Sequence, residues 1–154
     1  MKLNVSIVLY HAPVAELNYV LSVLLQVKDL HRLYLIDNSE GPLQLSLPDE
    51  RVRYIFSGTN LGFGTGHNVA IRESIRENVP FHLVMNSDIT FTAANVTEML
   101  DYMESHEDVA CMMPKVQFPT GKPQRLCKLL PTPMDLIGRR FLPEQLIRKR
   151  NARY

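Results

Sequence analysis

Asn86-Ser87-Asp88 closes the apolar run "HLVMNSDITF" (82–91) with an amide and a carboxylate. A carboxylate just past a buried strand can hold Mg²⁺ or Mn²⁺ through oxygen, with an amide beside it to orient it. A solvated turn has the same composition. Three other stretches carry comparable groups: Tyr10-His11, Asp37-Asn38-Ser39, and Ser57 through Asn60. Asp37 can accept hydrogen bonds from a base or a ribose, and it can equally close an Asx turn. "NLGFGTGHNVAI" (60–71) is a glycine-rich turn opening a helix. Its N–H groups suit an anion at a helix N-terminus. A tight turn needing positive φ at glycine accounts for it as well. It is neither a Walker loop nor the dinucleotide fingerprint, because no Gly-Lys-Ser/Thr follows and the last glycine spacing is wrong.

His11, His31, His67, His82 and His106 show no metal-ligand spacing. His82 lies inside an apolar strand and reads as structural. His11 and His67 lie near the polar strand ends, within reach of a phosphate, although a structural role accounts for each. Cys111 and Cys127 are not spaced as a metal site and read as free thiols in a reducing compartment. No Ser/His/Asp or Cys/His order stands out.

These groups need elements to position them. "NVSIVLY" (4–10) is apolar almost throughout, as in a strand buried on both faces. Val14, Leu17, Val20, Leu21, Leu24 and Leu25 recur at helical spacing over 14–27, with Pro13 suited to the first turn. Further strands are expected at 32–39, 52–57, 81–86 and 109–113, with helices at 67–78 and 93–105. The alternation predicts βαβ units, a mainly parallel central sheet flanked by helices, and ligands beyond the carboxyl ends of the strands. From Pro114 onward six prolines interrupt the pattern, and only short helices over 134–150 are expected.

The chain has 154 residues, 45% hydrophobic and 21% charged, enough for one domain with a real core. No apolar run reaches the roughly 18 residues of a membrane span, and the N-terminal run is too short for a signal peptide. Net charge is +1 but segregated. Residues 1–114 carry 7 Lys/Arg against 14 Asp/Glu, whereas residues 115–154 carry 10 against 2. A basic segment suits nucleic acid, anionic lipid, phosphate or an acidic protein face, or is simply a solvated surface.

Together "VSIVLYHAP", "LIDNS", "NLGFGTGHNVAI", "LVMNSDI", "MMPKV" and "GKPQRLCKLLPTPMDL" occur in an order and spacing that resemble family 2 glycosyltransferases of the Rossmann-like GT-A fold. The look is closest to bacterial rhamnosyltransferase-like members, and it covers nearly all of the chain. The resemblance implies a nucleotide-diphospho-sugar donor (dTDP- or UDP-sugar) and a glycan or lipid-linked acceptor in cell-surface polysaccharide synthesis, with no nucleic acid partner. It implies donor binding by Tyr10, His11, Asp37, Asn60, Gly62, Asn68, Asn86 and Asp88. Asp88 would carry Mg²⁺ or Mn²⁺, and Asn86 stands where the family's first metal-motif Asp does. An inverting transfer needs a general base. None of Glu98, Asp101, Glu104, Glu107, Asp108, Asp135 and Glu144 matches the family's base motif, which is expected beyond Tyr154. Residues 1–114 are then expected to be the donor half, and 115–154 a basic acceptor-side segment of an incomplete C-terminal part. The alternative is a nucleotide-diphosphate-binding module without turnover. A cytoplasmic protein peripheral to the membrane's inner face is expected, with a homodimer covering exposed sheet edge.

Overall fold

The computed structural model describes residues 1–45 and 49–124. Residues 1–110 form one compact unit. Its elements are β1 (Leu3–Leu9), α1 (Val14–Leu24), β2 (Leu30–Asp37), β3 (Val52–Phe56), α2 (Phe63–Arg76), β4 (Phe81–Met85) and α3 (Ala93–Ser105). All three strand pairings are parallel, in the order β3-β2-β1-β4. The chain moves outward from β1 to β2 and β3, then crosses back to place β4 on the other side of β1. That reversal makes the carboxyl end of β1 a topological switch point, where open α/β sheets bind ligands.

The two faces of the sheet are chemically different. Leu3, Val5, Ile7 and Leu9 of β1 join Leu33 and Leu35 of β2 in one apolar cluster. Leu17, Val20, Leu21 and Leu24 of α1 and Val96 and Leu100 of α3 complete it. The period of two sends the intervening residues to the opposite face. There β1 presents Asn4, Ser6 and Val8 to α2. Tyr34 and Ile36 of β2 pack with Ala70 of α2 in a smaller cluster. The buried residues of α2 are small or polar: Gly66, His67, Ala70 and Ser74.

The glycine-rich stretch differs from its expected form. The helix expected at 67–78 spans Phe63–Arg76, so Gly64 and Gly66 lie inside its first turns. Gly62 is the residue before it, at φ 79°, as a tight turn requires. Gly66 sits where a Cβ would stand 2.7 Å from Cγ2 of Val8. Close approach to β1 therefore outweighs glycine's poor helix propensity. Gly64 has open space around it. Gly64→Ala is expected to raise unfolding free energy by about 0.5–1 kcal/mol. Gly66→Ala is expected to lower it by about 1–3 kcal/mol, because Val8 is β-branched and stiff. Urea unfolding of both variants checks the contrast, and equal shifts would contradict this packing.

No strand forms over 109–113. The N–H of Val109 closes a turn onto the carbonyl of His106, and Ala110, Cys111 and Met113 are exposed. A short apolar run does not by itself supply the hydrogen-bonding partner that a strand needs. In the second unit, described over 111–124, Gln117 and Pro123 form an isolated antiparallel bridge about a turn containing Gly121 at φ 77°. The helices expected over 134–150, most of the basic segment and Cys127 lie outside the described residues. Cys111 is a free, exposed thiol. No helix among the described residues is long and apolar enough to cross a membrane.

Candidate functional site

The polar strand ends gather at the carboxyl edge of the sheet because every strand is parallel. β1 delivers Tyr10 and His11, β2 delivers Asp37-Asn38-Ser39, and β4 delivers Asn86-Ser87-Asp88. Behind β3, the turn through Ser57 and Asn60 leads to Gly62 and α2.

A lattice of polar groups ties the loops after β1, β2 and β3 together. The N–H of Asn38 bonds the carbonyl of Leu9 at 2.8 Å, continuing the ladder past β1. Asn38 is 2% exposed. Its Nδ2 donates to the carbonyl of Gly62 at 3.2 Å, and the hydroxyl of Ser57 lies 3.2 Å from its Oδ1. Ser39 Oγ accepts from the N–H of His11 at 3.0 Å. That bond holds His11 at φ 51°, a left-handed conformation unusual for a residue with a side chain. Asn60 Oδ1 accepts from the N–H of Gly62 at 2.9 Å, an Asx turn into the helix. The helix has no side-chain cap. Its first intrahelical bond runs from the N–H of Gly66 to Gly62, which leaves the preceding N–H groups at the positive end of the helix dipole.

Asp37 is buried, with no exposed surface. Its Oδ1 accepts from the N–H of Ser39 at 3.0 Å, and its Oδ2 from the N–H of Leu43 at 3.1 Å and the hydroxyl of Tyr54 at 2.5 Å. Burial alone would raise its pKa. The hydrogen bonds from Tyr54, Ser39 and Leu43 outweigh burial and hold it below the ordinary carboxylate value. Burial, and then the bond to Asp37, push Tyr54 up to about 12. The carboxylate expected to meet a base or ribose is thus occupied in this structure by the Asx turn that was its other reading. It orders the loop over 38–43.

Tyr10 and His11 are exposed beside Asp37's loop, their rings edge to face at 4.4 Å. Glu40 holds both, at 3.4 Å from the Tyr10 hydroxyl and 3.0 Å from His11 Nε2. Asn60 and Gly62 belong to the same bonded framework. Asn68 is exposed on α2. Asn86 and Asp88 are exposed in the turn after β4, and no hydrogen bond joins them to the framework. Asp88 has no hydrogen-bond or ion-pair partner among the described residues. Among the described residues, no group of three His, Cys, Asp or Glu side chains gathers there either. A free carboxylate with a neighbouring amide fits Mg²⁺ or Mn²⁺, which commonly takes one or two protein carboxylates and fills its shell with phosphate and water oxygens.

Sequence reading passed over Asn38, Ser39, Glu40 and Tyr54 as individuals. Asn38 and Ser39 stood in a recognised polar strand end. Tyr54 becomes legible only with the register that sets Leu35 against Tyr54 and Asp37 against Phe56. His82 is structural, as expected, and His67 is buried at 2% exposure rather than open to phosphate.

A four-stranded parallel sheet of this order, with polar loops gathered at its switch point, is the α/β fold of a GT-A, Rossmann-like domain. The model for "Glycosyl transferase family 2" matches residues 8–151, and the chain belongs to that family. It is a glycosyltransferase, which moves a sugar from a nucleotide-sugar donor to an acceptor. No curated protein matches the chain.

Proposed function

We propose that the chain binds a dTDP- or UDP-sugar at the carboxyl edge of its sheet. It transfers the sugar with inversion to a glycan or lipid-linked acceptor in cell-surface polysaccharide synthesis, rhamnose being the sugar favoured by resemblance. The observation that supports this most is the convergence of β1, β2, β4 and the Gly62 turn at one switch point. Tyr10 and His11 flank the nucleoside, and Asp37 orders the loop on which the base rests. Asn60 and Gly62 of the turn, with Asn68 of α2, close over the nucleoside. Asp88, beside Asn86, holds a divalent cation that offsets charge on the leaving diphosphate when bound. Residues 1–114 serve as the donor half and 115–154 as the acceptor side. The basic character of 115–154 suits peripheral contact with the cytoplasmic face of a membrane. β3 and β4, the edge strands among the described residues, suit a homodimer.

Calorimetric titration with UDP and with dTDP, each with and without Mn²⁺, tests the reading. Binding tightened about tenfold or more by Mn²⁺ is expected, a gain of about 1.4 kcal/mol or more. The tighter nucleotide identifies the donor class. A folded chain that binds neither nucleotide would refute the proposal.

A further inference from the structure

Beneath the site, on the α2 face of the sheet, lies a buried polar chain to which the reaction assigns no part. His67 Nδ1 is 2.7 Å from Ser6 Oγ, and Ser6 Oγ is 2.8 Å from His82 Nε2. His82 Nδ1 is 2.7 Å from Ser74 Oγ. Ser74 Oγ is 3.2 Å from the carbonyl of Ala70 and accepts from Asn4 Nδ2 at 2.9 Å. The chain leaves α2 at its first turns, passes through β1 and β4, and re-enters α2 near its end. Among the described residues, two buried side-chain polar atoms have no hydrogen-bond partner, Asn4 Oδ1 and His67 Nε2.

Counting donors and acceptors selects one arrangement of protons. Ser6 has a single proton and must donate to one ring while accepting from the other. If His82 carried its proton on Nε2, Ser6 would donate to His67 Nδ1. The orphaned His67 Nε2 would then bear a buried N–H without an acceptor. The opposite direction leaves only a lone pair there, the less costly orphan. So His67 Nδ1–H donates to Ser6, and Ser6 to His82 Nε2. His82 Nδ1–H donates to Ser74, and Ser74 to Ala70. Ser74 accepts from both His82 and Asn4 and is saturated.

We propose that this one-way chain through His67, Ser6, His82 and Ser74 positions α2, and with it the Gly62 turn of the donor site, and that a proton added to either imidazole breaks it. A proton on His82 Nε2 would face the Ser6 hydroxyl donor to donor. A proton on His67 Nε2 would be buried without an acceptor. That the chain serves donor binding rests on the reading above.

Both rings are neutral at neutral pH. Burial, and next the charge of His67, push His82 down to about 4, and burial lowers His67. The charged and titratable groups around the chain are Glu73 and Glu77 on α2 and His31, Arg32 and Tyr34 on β2; β1 offers Asn4 and Ser6, and β4 offers His82. Glu77 Oε2 lies 3.4 Å from Asn4 Nδ2, 3.4 Å from the Tyr34 hydroxyl and 3.5 Å from His31 Nε2. Because the folded-state values lie below the ordinary histidine value, the unfolded chain binds more protons in this range. The chain's contribution is complete above about pH 6.5. It is lost as pH falls from there through about 4, the value for His82.

Long-range proton–nitrogen correlation spectra of the imidazoles test the chain directly. Both rings are expected as Nδ1–H tautomers at pH 7. The amide signals of Gly64 and Gly66 are expected to titrate with the His82 ring. An Nε2–H tautomer at either ring, or α2 amides that ignore the His82 titration, would overturn the proposal. Binding of UDP with Mn²⁺ tests the functional part. Ser6→Ala is expected to weaken it about tenfold, with Ser6→Thr restoring it by returning the hydroxyl. Unchanged affinity in a Ser6→Ala protein whose imidazole signals have moved would overturn the positioning role. Absence of nucleotide binding by the unaltered chain would instead fault the donor-site reading, while the tautomers still judge the chain.

Discussion

Asp88→Ala is expected to abolish the metal-dependent part of nucleotide binding while leaving the fold intact. The side chain is exposed and has no partner among the described residues, so its loss removes no internal bond. Surface substitutions of this kind typically shift stability by less than about 0.5 kcal/mol. The functional cost is different in kind. Residues 1–114 carry a net charge of −7, a poor setting for a diphosphate without a cation. A single protein carboxylate then supplies most of the anionic hold on the ion, because Asn86 is neutral. Affinity for UDP or dTDP with Mn²⁺ is expected to fall about 10–100-fold, or about 1.4–2.7 kcal/mol. It should reach the value that the unaltered chain shows without metal. Calorimetric titration of both proteins decides the matter. An Asp88→Ala protein that still binds more tightly with Mn²⁺ would place the cation elsewhere.

The extent to which this molecule could be read from its sequence follows the range of each signal. The alternation of strands and helices, the apolar stripe of α1 and the polar strand ends are local patterns, and all appear in the structure. The burial of β1 was legible, but not its two chemistries. Asn4 and Ser6 look like interruptions in an apolar strand until Ser74, His67 and His82 are brought against them from about 60–80 residues away. The start of α2 was misread because glycine lowers helix propensity, whereas the approach to Val8 depends on tertiary packing. The strand expected at 109–113 rested on composition alone. Asp37 was recognised as a strand-end carboxylate, but its three internal donors depend on how β2 and β3 align.

Those donors make Asp37→Asn the substitution with the largest expected cost to stability, although it preserves shape. The carboxylate offers acceptor oxygens on both sides, and both are used. An amide offers one. If its oxygen faces Ser39, its NH₂ group confronts the N–H of Leu43 and the hydroxyl of Tyr54. If it is turned over, the NH₂ group confronts the N–H of Ser39. Tyr54 can rotate to accept, but its own proton then lacks a buried acceptor, and its oxygen already lies 2.7 Å from the N–H of Leu43. Each buried donor left unsatisfied costs about 1–3 kcal/mol, so a total loss of about 2–4 kcal/mol is expected. Tyr54→Phe, which leaves Asp37 its two backbone donors, should cost less, about 1 kcal/mol. The pH dependence separates charge from shape. Since the folded carboxyl titrates below its unfolded value, its contribution is present above the ordinary carboxylate range and is lost as pH falls through the folded value. The stability gap between the unaltered chain and Asp37→Asn should therefore narrow in acid. Urea unfolding of both proteins from pH 7 to about pH 3, spanning the usual carboxylate range, measures it. A gap that is small at pH 7, or that stays constant down to pH 3, would show that the loop over 38–43 does not depend on this carboxylate.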